Sequence, residues 1–137
     1  MKKKILLSLL LLAVAGGSFG YYLFNKPHQS IADQDPDYKM ESALLISNYE
    51  KDETAANQQY LGKVIEVIGT VSEKTIDAKG KINVTLAGPD LAGIGCVFEN
   101  TKGNQLASIS EGQKIKIKGI CTGVLMDVVL VDCVLTN

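Results

Sequence analysis

Residues 5 to 24, ILLSLLLLAVAGGSFGYYLF, form a twenty-residue run without one charge, and that run limits where the rest of the chain can fold. An α-helix rises ~1.5 Å per residue, so about 20 apolar residues cross a hydrocarbon core of ~30 Å. Lys2, Lys3 and Lys4 precede the run, and Asn25, Lys26, Pro27 and His28 follow it. The lysines mark the end kept in the cytoplasm, while Tyr21 and Tyr22 suit the interface on the far side. The expectation is that residues 1–24 anchor the protein in the inner membrane as a single-pass segment. Everything from Asn25 onward then lies on the periplasmic or external side. The alternative is a signal sequence cut after the small-x-small triplet Ala13-Val14-Ala15, with secretion of the rest to the periplasm. The apolar stretch continues nine residues past Ala15, which favours an uncut anchor. No cysteine follows the run closely, so a lipid attached there is not expected.

Setting that segment aside changes the charge balance. All 14 basic residues are lysines, and without Lys2–Lys4 the remaining 11 face 15 Asp and Glu, a net of about −4. The chain has no arginine and no tryptophan. Surfaces that bind nucleic acid neutralise phosphates with an excess of basic residues, arginine prominent among them. Here the balance is reversed, and a nucleic-acid partner is not expected.

Residues 25–36, NKPHQSIADQDP, are polar with two prolines and read as a spacer. Residues 37–60 read as helical. In DYKMESALLISNYE, Tyr38, Leu45 and Tyr49 fall at helical intervals with Met40 and Leu44 nearby. Asp35 and Pro36 offer an N-cap and a first helical position. A second short helix is expected from Glu53 to Tyr60, capped by Asp52 and ended by Gly62.

From Lys63 the period of the pattern becomes two. KVIEVIGTVSE is β-branched and apolar, with Gly69 placed where a coiled strand bends. After the turn residues Asp77–Gly80, KINVTL (81–86) alternates, Ile82, Val84 and Leu86 on one face and Lys81, Asn83 and Thr85 on the other. GIGCVFE (93–99) is a third strand, and 100–113 is a loop or single helical turn with Leu106 and Ile109 spaced by three. KIKIKGIC (114–121) alternates again, Thr122-Gly123 reads as a turn, and LMDVVLVDCVL (125–135) is the fifth strand. Three strands, a connection and a closing hairpin are the order of an OB-fold, a barrel whose closure removes the long sheet edges. The expected class is mainly β: a five-stranded OB-type barrel over residues 61–137, preceded by one or two short α-helices. An immunoglobulin-like sandwich would need about seven strands, more than the chain after residue 62 can supply.

Asn57-x-x-Tyr60-Leu61-Gly62-Lys63-Val64-Ile65-Glu66-Val67-x-Gly69-Thr70-Val71 resembles the opening of the bacterial tRNA-anti-like OB-fold family. Gly95-Cys96-x-Phe98, Ile117-Lys118-Gly119-Ile120-Cys121-Thr122-Gly123 and Asp127-Val128-x-Leu130-x-Asp132-Cys133 are similar to its later strands. The resemblance covers roughly residues 37 to 135. It implies helices followed by a barrel behind an N-terminal anchor. It implies no activity, because the family takes its name from a likeness of fold to anticodon-binding domains.

The chemistry available to such a domain is narrow. Single-strand binders stack bases on aromatic rings in a basic groove, and between residues 61 and 137 the only aromatic is Phe98, in an apolar strand. Lys114, Lys116 and Lys118 make a basic stripe whose ordinary role is a solvated outer face that discourages edge pairing. Cys96, Cys121 and Cys133 lack C-x-x-C spacing, and the one histidine, His28, is in the spacer, so no metal site is expected. In an oxidising compartment a Cys96–Cys121 disulfide across the barrel is the first expectation and Cys96–Cys133 the second, against three small buried hydrophobes. Cys121 and Cys133 stand too far apart along their hairpin to bridge. Asp33, Asp35 and Asp37 begin like a calcium loop, but Tyr38 and Leu44 occupy the positions that need Gly and Glu. No nucleophile–histidine pair and no Gly-rich phosphate loop is visible, so no catalytic residue and no cofactor are expected.

The expected role is a non-enzymatic binding module outside the cytoplasm, tied to the membrane through residues 5–24 and recognising an unknown protein, peptide or envelope ligand. OB-folds bind on the face of their second and third strands and the neighbouring loops. That places the ligand face at Lys81, Asn83 and Thr85 with the 87–93 loop. The alternative is a structural subunit docked in a larger envelope assembly.

Overall fold

The computed structural model describes residues 1–25, 30–90, 92–99 and 104–137, the side chain of Asn104 excepted. Its strands are β1 (Tyr38–Glu41), β2 (Val64–Ile76), β3 (Ile82–Ala87), β4 (Gly93–Phe98), β5 (Lys114–Val124) and β6 (Val128–Thr136). Its helices are α1 (Lys2–Phe24), α2 (Ser42–Lys51), α3 (Glu53–Tyr60) and the single turn α4 (Asn104–Ala107), with a 3-10 turn at Ile31–Asp33. Strands β2, β3, β4, β6 and β5 lie side by side in that order, and β5 returns to pair with β2, closing the barrel.

Closure depends on β2 serving two neighbours. Its first half, Val64 to Thr70, pairs with β5, and Val71 to Ile76 pairs with β3 after a register shift between Val71 and Glu73. Gly69 stands just before the change of partner. A Cβ there would lie 2.7 Å from Ser42 Oγ and 3.2 Å from Leu86 Cβ, so only glycine lets α2 and β3 approach this bend. The alternating apolar residues point inward as the period-two pattern requires. Ile65, Val67, Val84, Leu86, Ile94, Cys96, Ile117 and Leu130 are all fully buried. At about 1.5–3 kcal/mol for each large aliphatic side chain removed from water, this interior supplies the main driving force.

Helices plug both ends. Leu45, Ile46 and Tyr49 of α2 and Ala56 and Tyr60 of α3 join the core. Asp52 caps α3 through Oδ1, which accepts from Ala55 N at 3.0 Å, and Gly62 follows at φ +74°. At the other end Leu106 and Ile109 are buried under the α4 turn, which Lys74 Nζ holds by donating to the carbonyls of Ala107 and Ile109.

Three expectations need correction. Residues 37–60 are not helical throughout: Tyr38–Glu41 is a strand parallel to the start of β2. Tyr38 and Met40 are half-buried while Lys39 and Glu41 are exposed, so period two fits this stretch as well as a helical period. Asp37 decides the matter. Its N–H donates to Val64 O and its Oδ2 accepts from Val64 N, which ties it to the sheet edge and leaves Asp35-Pro36 capping nothing. Helix α2 starts at Ser42, whose Oγ donates to Ala87 O.

Thr122-Gly123 is not the hairpin turn. Both residues belong to β5 at a bulge between Cys121 and Val124, and Gly123 has φ +102°. A Cβ on Gly123 would meet Asn57 Oδ1 at 3.3 Å and Leu61 Cδ1 at 3.5 Å, so the bulge makes room for the end of α3. The chain reverses at Leu125–Asp127, where Leu125 N donates to Asp127 O at 3.1 Å.

Lys118 is not solvated. It is 6% exposed, and its Nζ donates to Ala32 O at 3.0 Å and Gln34 O at 2.7 Å. With Ile31 buried as well, the end of the expected spacer is fastened to the barrel wall. Helix α1 buries no residue and is long and apolar enough to cross a membrane.

Candidate functional site

Asn83 and Thr85 lie on the outer side of β3 and Lys81 just precedes it, and the three do not form one site. Lys81 Nζ pairs with Glu99 Oε1 at 3.1 Å near the start of the strand. Asn83 sits between Thr75 and Val97 in register, half-buried in the sheet wall. Thr85 alone opens into a groove of about 290 Å³, shared with Ser72, Glu73, Asp90, Gly93 and Asp127.

The groove is shaped by close backbone approaches. Asp127 Oδ1 accepts from Gly93 N at 2.9 Å, joining the β5–β6 turn to the start of β4. A Cβ on Gly93 would lie 2.8 Å from Thr85 Cγ2 and 3.0 Å from Leu86 O. One on Gly88 would collide with Ile46 Cδ1 and the Ala92 carbonyl. Asp90 stands at φ +59°, a conformation that Asp tolerates better than most residues. Glu73, Asp90 and Asp127 line the groove and, among the described residues, no lysine does. Beside it, at the tip of the β5–β6 hairpin, Leu125 and Met126 are 90% and 92% exposed. An acidic recess next to a bare apolar tip favours a ligand with cationic or hydrogen-bond-donating groups and an apolar part, and it repels phosphate.

A second, larger groove of about 520 Å³ lies at the opposite end of the β5–β6 hairpin, lined by Ser108, Lys114, Lys116 and Thr136 over Ile115 and Leu135. The sequence marks these lysines only as a stripe, and the turn residue Asp127 only as an ordinary strand-end acid. Alternation shows which face a side chain takes, but the groove forms when α4 and the end of β6 arrive from elsewhere in the chain.

The three cysteines are buried and unpaired. The fold sets Cys96 beside Cys133, the second of the two disulfide pairings expected from sequence. Cys121 Sγ lies 3.2 Å from Tyr49 Oη. Asp132 takes φ +52°, and Cys133 after it is buried, its Sγ donating to Leu130 O at 3.4 Å. Burial, then the Cys96 contact, pushes the Cys133 thiol well above its ordinary value. Burial and the Cys121 contact do the same to the Tyr49 phenol. Thiols held protonated in this way are poor nucleophiles. Among the described residues no group of three or more His, Cys, Asp or Glu is placed to hold a metal ion, and His28 lies outside them.

Comparison with solved structures shows the same fold in a crystal structure of a "putative nucleic acid-binding lipoprotein" from Klebsiella pneumoniae subsp. pneumoniae. The TM-score is 0.60 at 16% identity, over 82% of this chain and 100% of that one. No curated protein matches. The tRNA_anti-like family model matches residues 1–135, so the chain belongs to the tRNA-anti-like family.

Proposed function

We propose that this protein is a non-enzymatic binding module, held on the outer side of a membrane by α1, that takes a basic protein or peptide segment in the groove around Thr85 and Asp127. The observation that carries this reading is the pairing of an acid-lined recess, Glu73, Asp90 and Asp127, with the exposed Leu125–Met126 tip. The recess lies between the second barrel strand and the final hairpin turn, the region with which OB-folds engage ligands. The lipoprotein with the same fold supports display at a membrane surface. Its named ligand class fits this groove poorly, because a phosphate backbone would approach three carboxylates.

The test is site-specific photo-cross-linking of the full chain in its own membranes, with the photoreactive residue placed in turn at Met126, at Leu44, at Leu61 and, as control, at Thr75. The expected result is a protein adduct through position 126 that is lost with Asp90→Asn and Asp127→Asn. Adducts only through Leu44 and Leu61, which are exposed on and just after the helices, would favour a docked structural subunit. Capture of an oligonucleotide at position 126 would overturn the proposal.

A further inference from the structure

The lysine clamp and the larger groove lie on the same two strands, and together they orient the barrel. Lys118 pins Ala32 and Gln34, and Ile31 is buried against the wall. Asn25, at the end of α1, and Ser30, where the 3-10 turn is capped, are five peptide steps apart along the chain. Five peptide steps span at most about 18 Å, less than the barrel's own β5–β6 hairpin is long. A lead of that length, attached through β5 and β6, keeps this wall within reach of the lipid.

The groove lies on this wall. Lys116 pairs with Thr136, and Lys118 with Val134, two residues further along, or about 7 Å. The acidic recess is at the far end of the same hairpin, near Val124 and Val128, roughly 26 Å away. Among the described residues the larger groove has no Asp or Glu side chain in its lining, in a domain whose net charge is negative. Lys114 is exposed and makes no ion pair among the described residues, while Lys116 Nζ donates to the O of Asn137, another lining residue, at 2.9 Å. Thr136 Oγ1 is buried with no hydrogen-bond partner among them. Ser108, Gln105 and Gln113 add donors, and Ile68, Ile109 and Leu135 give an apolar floor.

We infer that the Lys114–Lys116–Thr136 groove faces the bilayer in which α1 sits and binds the phosphate of an anionic lipid headgroup. The lysines supply the charge, and the Ser108 and Gln113 side chains hydrogen bonds. The floor accepts the carbon atoms next to the phosphate. This rests on α1 being an anchor, which the proposed ligand site does not require.

The test uses the full chain in nanodiscs of phosphatidylcholine with or without phosphatidylglycerol, a fraction of the lipid carrying a spin label at the headgroup. With the anionic lipid, amide signals of Ser108, Ile115 and Thr136 should broaden and those of Thr85 and Met126 should not. Lys114→Gln with Lys116→Gln should weaken that broadening about tenfold in lipid concentration. Equal broadening in both lipid compositions, or broadening centred on Met126, would overturn the inference. So would inorganic phosphate shifting the same amides in phosphatidylcholine discs, which would assign the groove to a free anion. A chain that does not remain with the discs removes the anchor and the inference together, whereas a retained chain without broadening removes the inference alone.

Discussion

Lys118 stands 86 residues after Ala32 and donates to its carbonyl across 3.0 Å. A second donation, to Gln34 O, makes the same ammonium the fastener of the segment just before β1. Buried cations survive in proteins only when their donors are matched, and here main-chain oxygens of the chain's own leader provide the match.

Lys118→Met should therefore free the tether while leaving the barrel closed. Methionine fills much of the same volume but leaves two carbonyls without their donor, a cost of about 1–3 kcal/mol. Hydrogen exchange of residues 30–36 should rise by about one to two orders of magnitude, with β2 and β5 amides unchanged. Uniform loss of protection across the barrel would mean that Lys118 holds the core and not the leader.

Gly119 makes a sharper steric test. A Cβ there would lie 2.7 Å from Cys133 Sγ and 3.0 Å from Val131 O. Gly119→Ala should cost about 1–3 kcal/mol by overpacking, read as a lowered denaturation midpoint. Combining it with Cys133→Ala should recover part of that loss, because the closest atom is gone while the carbonyl remains. Full additivity in this double-mutant cycle would show that the sulfur is not the obstacle.

These two residues also show what sequence pattern could and could not disclose. The inward faces of β3 and β5 were legible because period-two alternation is a local property, as was the cap at Asp52. Lys118 was not, since a lysine on an alternating strand looks the same whether water or a returning leader covers it. Tyr38 to Glu41 satisfied both periods, and the long-range bonds between Asp37 and Val64 settled the choice. Of the three residues expected on the ligand face, Thr85 reaches a groove because Gly93 and Asp127 build it there, which no local signal announces. The hairpin turn was misplaced because Thr-Gly is turn-like in itself, while the bulge at Gly123 is demanded by α3.

The phenol of Tyr49, raised chiefly by burial and then by Cys121, links stability to alkaline pH. A phenol that holds its proton more tightly folded than unfolded contributes fully below the unfolded value, about pH 10. The contribution is lost as pH rises from there through the folded value. Stability should thus fall above about pH 10, approaching ~1.4 kcal/mol per pH unit for this one group. The raised Cys133 thiol acts in the same direction, from its own unfolded value of about 8.5 upward. Tyr49→Phe should cost about 0.5–1.5 kcal/mol at neutral pH through the lost contact with Cys121 and should flatten the limb above pH 10. Denaturant midpoints measured from pH 7 to 11 check this, and an unchanged alkaline limb in the variant would refute it.

Leu125 and Met126 test whether the hairpin tip is kept for binding. Both are almost fully exposed, and the turn they occupy is held by main-chain bonding and by Asp127, not by their side chains. Replacing both with serine should change stability by no more than about 0.5 kcal/mol, since surface positions with no packing role rarely do more. Asp127→Ala removes the acceptor of the Gly93 N–H and should cost about 1 kcal/mol, loosening the link between the turn and β4. If the acidic recess and the tip act as one surface, both variants should lose the partner adduct formed by a photoreactive residue placed at Thr85, although only one of them is destabilised. A tip variant that keeps the adduct while Asp127→Ala loses it would confine recognition to the carboxylates and leave the apolar pair without a part in it.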